Sequence, residues 1–179
     1  MNDQSTRTIV LGGGCFWCTQ AVLQSLEGVR RITPGYCGGH VDSPSYEQVC
    51  TQKTGHVEVV EVVFDPRVLP LEQLLLVFFA THDPTTLDRQ GSDVGPQYAS
   101  TIFYQSDAQR ETIERVMKAV EKAATDPVVT RIRAAETFWP AEAHHNDYYR
   151  NNTEQRYCRL VIAPKLARMR QHFSDLLQS

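Results

Sequence analysis

The sequence predicts an α/β or α+β fold, a sheet covered by helices. Strand-like and helix-like stretches alternate along its 179 residues. One stretch, Val57–Phe64 (VEVVEVVF), is β-branched and apolar on both faces, as a central strand must be. Two long stretches rich in polar and aromatic residues, 35–53 and 82–97, read as loops of the kind that carry function in compact domains.

The elements follow in chain order. Residues 6–11 (TRTIVL) read as a short buried strand that ends at glycines. Residues 15–26 read as a helix, because Cys18, Val22 and Leu26 recur at i+4 and Gly28 suits its end. After the central strand, Asp65-Pro66 stops the pairing. Residues 70–79 are helical, with Pro70 near the first position and Leu71, Leu74, Leu75 and Phe78 on one stripe. Residues 99–104 form a strand. Ser106 and Gln109 have the spacing of a capping box, and the helix they open carries Ile113, Val116, Met117 and Val120 on one face. Pro127 stops it, and 128–132 reads as a strand. Residues 138–150 (FWPAEAHHNDYYR) are expected as a short helix and 157–163 as extended chain. Residues 164–177 are expected as an amphipathic helix with Leu166, Met169, Phe173 and Leu176 inward.

The length suits one domain, 1–179, able to bury a core without staples. Hydrophobic residues are 41% and charged residues 22%, near the globular average. A net charge of −3 gives no basis for a nucleic-acid or anionic-membrane partner. No apolar run is long enough to span a bilayer, and residues 1–8 lack a signal-peptide pattern. A cytoplasmic location is the expectation, and with no heptad run or interface helix, so is a monomer.

The five cysteines are Cys15, Cys18, Cys37, Cys50 and Cys158. Their odd count argues against a disulfide framework. Structural zinc needs a second Cys/His pair at short spacing; Cys37 and Cys50 are too far apart for one, and Cys158 stands alone. Residues 12–18 (GGGCFWC) then read as a strand-to-helix turn that places Cys15 at a helix N-terminus. Unpaired N–H groups and about half a positive charge there favour a thiolate, with a thiol pKa below the free value of about 8.5. Cys15 is the candidate nucleophile. Cys18 lies on the same side of the helix and has two readings: redox partner in a C-x-x-C motif, or first rung of the buried stripe. Phe16 and Trp17 are either core or the wall of an apolar pocket. Glu58 alternates in register with Val60, Val62 and Phe64, an acid on an apolar face. Buried, it would hold its proton near neutrality and could donate it; at a strand end it would face solvent. Tyr46 and Tyr98 sit in the long loops, as packing lids or hydroxyl donors.

Five stretches together resemble peptide methionine sulfoxide reductase, type A: GGGCFWC, PSYEQVCTQKTGHVEVVEVVFDP, FFATHDPTTLDRQGSDVGPQYASTIFY, ETFWPAEAHHNDYYRNN and YCRLVIAPK. The resemblance runs from about residue 7 to about residue 170. It implies an α+β two-layer sandwich, ferredoxin-like, with long irregular segments wrapped around it. It also implies an oxidoreductase that returns methionine S-sulfoxide, free or in proteins, to methionine in repair of oxidised protein. Cys15 matches the nucleophile, Phe16 and Trp17 the pocket for the S-methyl group, Glu58 the acid beside the sulfoxide oxygen, and Tyr46, Tyr98 and Asp93 further groups of that site. Cys158 matches the usual resolving cysteine, favoured here because it lies in a C-terminal segment expected to be mobile. The resemblance implies a sulfenic acid at Cys15, an intramolecular disulfide, thioredoxin as external reductant, and neither metal nor organic cofactor. The chain departs from the commonest form of the family at two places. Cys18 stands where many members have glycine, which makes it a possible resolver or relay. Gln20 stands where many have glutamate, a change of little expected effect on the chemistry. Against Cys18, i+3 neighbours in a regular helix sit about 5–6 Å apart, whereas a disulfide needs Cβ atoms about 3.8 Å apart. Cys37 and Cys50 are expected to be plain buried or half-buried thiols.

Overall fold

The computed structural model describes residues 5–178. Residues 1–4 and 179, which the expected single domain includes, lie outside the described residues. Six strands form the main sheet: β1 (Arg7–Gly12), β2 (Val29–Cys37), β3 (Val57–Phe64), β6 (Thr101–Tyr104), β7 (Arg131–Ala134) and β8 (Trp139–Pro140). A two-stranded hairpin, β4 (Arg89–Gln90) with β5 (Asp93–Val94), stands apart. The helices are α1 (Phe16–Leu23), α2 (Tyr46–Cys50), α3 (Leu71–Ala80), α4 (Asp107–Ala123), α5 (Tyr148–Asn151) and α6 (Ala163–His172).

The sheet runs β7-β6-β1-β3-β2-β8. Every pairing is antiparallel except β6 with β7. Its centre, β6-β1-β3-β2, is built by the chain path β1-α1-β2-β3-α3-β6, the ferredoxin-like βαββαβ arrangement that the resemblance implied. The helices cover one face. There Ile9 and Leu11 of β1 and Val60, Val62 and Phe64 of β3 pack against Phe16, Val22, Leu75 and Phe78. The other face carries a smaller core of Val10, Cys37, Val57, Val59 and Phe103, closed by Phe138.

β3 has the predicted bounds, because a strand buried on both faces writes its pattern without interruption. β2 lies partly in a stretch read as a loop, since Pro34 and two arginines disguise it. Its partner β8 pairs only with Gly35 and Tyr36, and the Pro34 carbonyl takes the Ala141 N–H, so residues 29–33 have no strand neighbour on that side. A free edge tolerates both proline and charge. A Cβ on Gly35 would sit 2.4 Å from the Trp139 carbonyl oxygen, so only glycine lets β8 dock.

Other expectations are corrected. Residues 138–150 are not one helix: they divide into β8, a 3-10 turn at Ala143–His145 and the short α5, interrupted by left-handed Asp147 at φ 54°. The strand expected at 128–132 begins later, because the Val129 N–H bonds to the Pro84 carbonyl (2.8 Å) in the long loop instead of to the sheet. Residues 157–163 are not extended. Cys158–Ile162 form a π-helical turn that runs into α6. Pro164 lacks an N–H and crowds the carbonyl four residues back, and the wider π turn just before it removes that conflict. The terminal helix stops at His172 and is followed by a 3-10 turn, Ser174–Leu176. The Ser106 hydroxyl caps α4 through the Gln109 N–H, but the Gln109 side chain turns to Thr8 and Gln105. The reciprocal capping box belongs to Ser45 and Gln48, at the start of α2.

Candidate active site

The glycine run leaves β1 and turns into α1. Gly14 has φ +99°, and a Cβ there would lie 2.6 Å from Cγ of Gln90. Cys15 follows as the residue that opens α1. Its carbonyl takes the Cys18 N–H (3.1 Å), and its own ψ of 126° is extended rather than helical. Cys15 is 8% exposed.

Glu58 is 1% exposed and lies on the helix-covered face of β3. One carboxyl oxygen, Oε1, accepts the Phe16 N–H at 3.2 Å; Oε2 is buried without a hydrogen-bond partner among the described residues. Burial pushes the Glu58 acid up to about 8, against the pull of the Phe16 N–H. Near neutrality the carboxyl is therefore largely protonated. Because Oε1 is accepting, the proton belongs on Oε2.

The thiols behave otherwise than the helix terminus alone suggests. Burial pushes the Cys15 thiol well above its ordinary value, aided by its hydrogen bond to Cys18 and the nearby Glu58. The N–H of Trp17 acts in the opposite direction and does not prevail. The more acidic thiol of the pair is Cys18, moved down to about 7 by the Cys15 hydrogen bond and by Lys165 and the Tyr157 hydroxyl, despite burial. Of the two sulfurs, Cys18 is therefore the one that gives up its proton more readily. Because Cys15 precedes the first helical residue, the regular i+3 spacing does not apply to the pair.

Around Phe16 and Trp17 the chain assembles an aromatic box. Trp17 stacks on Tyr148 with centroids 3.7 Å apart, and its indole N–H donates to Nδ1 of His145 at 3.1 Å. The imidazole of His145 lies 5.2 Å from the Phe16 ring and 4.7 Å from Tyr46. Tyr46 starts α2, and its N–H donates to the Glu142 carboxylate, which also takes the Tyr36 hydroxyl (3.1 and 3.2 Å). Tyr98 ends the 3-10 turn Pro96–Tyr98. Burial and the nearby Glu58 raise both the Tyr46 and Tyr98 phenols, which keep their protons and can donate them.

Asp93 accepts the Tyr157 hydroxyl at 2.7 Å, and the same hydroxyl lies 3.4 Å from Cys18 Sγ. The Tyr157 proton goes to Asp93, and its oxygen stays within reach of the Cys18 thiol. Tyr157 thus ties Asp93 to the Cys18 side of the site, while the Asp93 charge also bears on Glu58. Cys158 is not in a loose segment: it is 0% exposed, in the main core, at the head of the π turn. Burial and the nearby Cys18 raise its thiol. Cys37 is buried under the opposite face, and Cys50 is exposed, not half-buried, beside Tyr46.

Sequence reasoning missed Tyr36, Glu142, His145, Tyr148 and Tyr157. The density of histidine and aromatic residues between 138 and 157 was the available signal. It also undervalued Gln20. This buried side chain donates to Asn146 Oδ1 (2.7 Å) and accepts the Asp147 N–H (2.9 Å), pinning to α1 the stretch that carries His145 and Tyr148.

Comparison with known proteins gives one consistent answer. The family model described as peptide methionine sulfoxide reductase matches residues 7–177. A Chromobacterium violaceum protein named peptide methionine sulfoxide reductase MsrA is 55% identical over 95% of this chain and 98% of its own length. The crystal structure of reduced Mxr1 from Saccharomyces cerevisiae superposes with a TM-score of 0.83 at 32% identity, covering 88% of this chain and 91% of that one. A structure of Mxr1 in complex with Trx2 shares the fold at a TM-score of 0.58 and 22% identity, over 82% of this chain and 87% of that one. The chain belongs to the peptide methionine sulfoxide reductase family.

Proposed function

We propose that the chain reduces methionine S-sulfoxide to methionine at Cys15. The carrying observation is Glu58: a buried, protonated acid with one unpartnered oxygen, hydrogen-bonded to the first N–H after the nucleophile. A sulfoxide oxygen cannot leave a dry cavity as free oxide, so it needs a proton donor in place. Cys15 Sγ attacks the substrate sulfur, Glu58 gives its proton to the oxygen, and the Tyr46 and Tyr98 hydroxyls stabilise it. The oxygen passes to Cys15. In sum, Cys15–SH and the sulfoxide become Cys15–SOH and the thioether, and Glu58 recovers a proton from the thiol. Phe16 and Trp17 supply the apolar wall for the S-methyl group.

The second thiol is Cys18, since it lines the same groove as Cys15 and each bears on the other's proton. Condensation of Cys15–SOH with Cys18–SH forms a disulfide and releases water. Cys158 lies near Cys18 but is sealed in the core, so the disulfide exposed to a reductant is the Cys15–Cys18 one. A dithiol protein of the thioredoxin class then reduces it by exchange; the yeast relative crystallised with Trx2 supports that partner.

The test is incubation with a methionine sulfoxide peptide, its methionine content measured with and without thioredoxin, beside insulin as a disulfide substrate. Loss of one oxygen from the peptide, with one methionine formed per chain before thioredoxin is added, is the expected result. Reduction of insulin alone would make the Cys15/Cys18 pair a general dithiol oxidoreductase and overturn the reading.

A further inference from the structure

Cys18 faces a different space from the aromatic box. Between the β4–β5 hairpin and α6 lies a groove of about 220 Å³, lined among others by Cys15, Cys18, Asp93, Tyr157, Lys165 and Arg168. Phe16, Trp17 and Tyr46 take no part in it. A water-sized gap on the inner side of Cys18 is bounded by Gly13, His82 and, again, Lys165. Lys165 is half-buried on α6, one residue past Pro164, and borders both spaces.

The charges around Cys18 come from every element packed on it. From α1's start, Cys15 donates a hydrogen bond. Glu58 of β3 holds its proton near neutrality, and His82, after α3, is kept neutral by burial, its pKa down at about 4. Asp93 of β5 opposes a negative sulfur, and the Tyr157 hydroxyl is shared between the two. Cys158, in the π turn, is an uncharged thiol. Arg168 lies at the exposed rim of the groove. The cation whose charge acts directly on Cys18 is Lys165.

We propose that Lys165 is a positioning residue for the recycling half-reaction, its ammonium on α6 holding Cys18 as the thiolate that attacks the Cys15 sulfenic acid. This rests on the reading of Cys15 as the sulfoxide-reducing thiol and Cys18 as its resolver. In the step, Cys18 S⁻ attacks Cys15 Sγ, the S–S bond forms and the S–O bond breaks. The hydroxide released takes a proton and leaves as water. Cys18 supplies the electron pair, so no further oxidant or reductant enters.

The experiment follows one turnover without reductant, in the wild type, Lys165→Met, Lys165→Arg and Cys18→Ser. Three quantities are read against pH: methionine formed per chain, sulfenic acid trapped by a cyclic dione, and disulfide formed. In the wild type, disulfide formation rises with pH to a midpoint set by the ionisation of Cys18. In Lys165→Met the midpoint moves up by about one unit, so below it disulfide forms about tenfold more slowly and trapped sulfenic acid increases. The methionine burst keeps its size, and Lys165→Arg restores the wild-type profile. A Lys165→Met profile with an unmoved midpoint overturns the proposal, as does disulfide formation that survives in Cys18→Ser. A wild type that forms no methionine overturns the underlying reading of Cys15 instead.

Discussion

β3 and the stretch from 138 to 163 serve one site by opposite means. β3 is regular and delivers one functional group, Glu58, whose direction is dictated by the two-residue period of a strand locked between β1 and β2. The later stretch is a sequence of short turns. It delivers Glu142, His145, Tyr148 and Tyr157, each held by a contact to a distant element: Tyr46, Trp17 or Cys18. The reacting acid is thus built into the sheet, whereas the box that receives the substrate is tied on from outside. The two should fail differently when disturbed.

The largest effects belong to the built-in part. Cys15→Ser should abolish methionine formation, since a hydroxyl cannot accept the oxygen in this way; any catalytic turnover measured by methionine release would displace the nucleophile. Glu58→Gln should lower kcat by about 10²–10⁴-fold, the range for loss of a general acid. The pH profile sharpens this point. Glu58 is raised to about 8, so the proton-bearing form is present below that value and is lost as pH rises through it. Wild-type kcat should fall on the alkaline side near about 8, and that limb should vanish in Glu58→Gln. A limb that stays in the variant belongs to another group.

Cys18→Ser comes next. It should release about one methionine per chain and then stall with thioredoxin, while Cys158→Ser continues to turn over. The reverse pair of results would return the resolving role to Cys158. The smallest effect tests the tied-on part. Gln20→Leu strands the Asp147 N–H and should cost about 1–3 kcal/mol in urea unfolding. It should also raise KM about tenfold, at about 1.4 kcal/mol per factor of ten, with little change in kcat, because Glu58 and Cys15 stay in place. An equal fall in kcat would mean that box and acid are mechanically one unit.

The same contrast explains what could be read from the chain alone. Val57–Phe64 announces itself because its neighbours on both sides are apolar, and the inward face of Glu58 follows from counting by two. Cys15 was placed at the helix start because glycines and a following apolar stripe are local signals. His145 and Glu142 carry no such signal: their partners Trp17 and Tyr46 lie far away in sequence, and only the closed fold brings them together. The expectation of extended, mobile chain around Cys158 fails for a similar reason. Leu160 and Val161 look like strand residues, yet Leu160 is 61% exposed, and it is Cys158 and Ile162, one helical step apart, that face the core. The expected low pKa of Cys15 failed on magnitude, because burial of the sulfur outweighs the pull of the helix start.

Gly14 and Gln90 carry a lesson for anyone who would alter this protein by selection. With φ +99°, position 14 accepts no ordinary side chain, and Gln90, which braces its own loop through the Asp83 N–H and carbonyl, already fills the space where one would begin. A library at position 14 should therefore return mostly inactive clones. Position 90 is where variation is useful: smaller residues there would widen the approach to the thiol pair from the hairpin side and leave the backbone turn intact, so easier access for a disulfide-reducing partner should be acquired through Gln90 first.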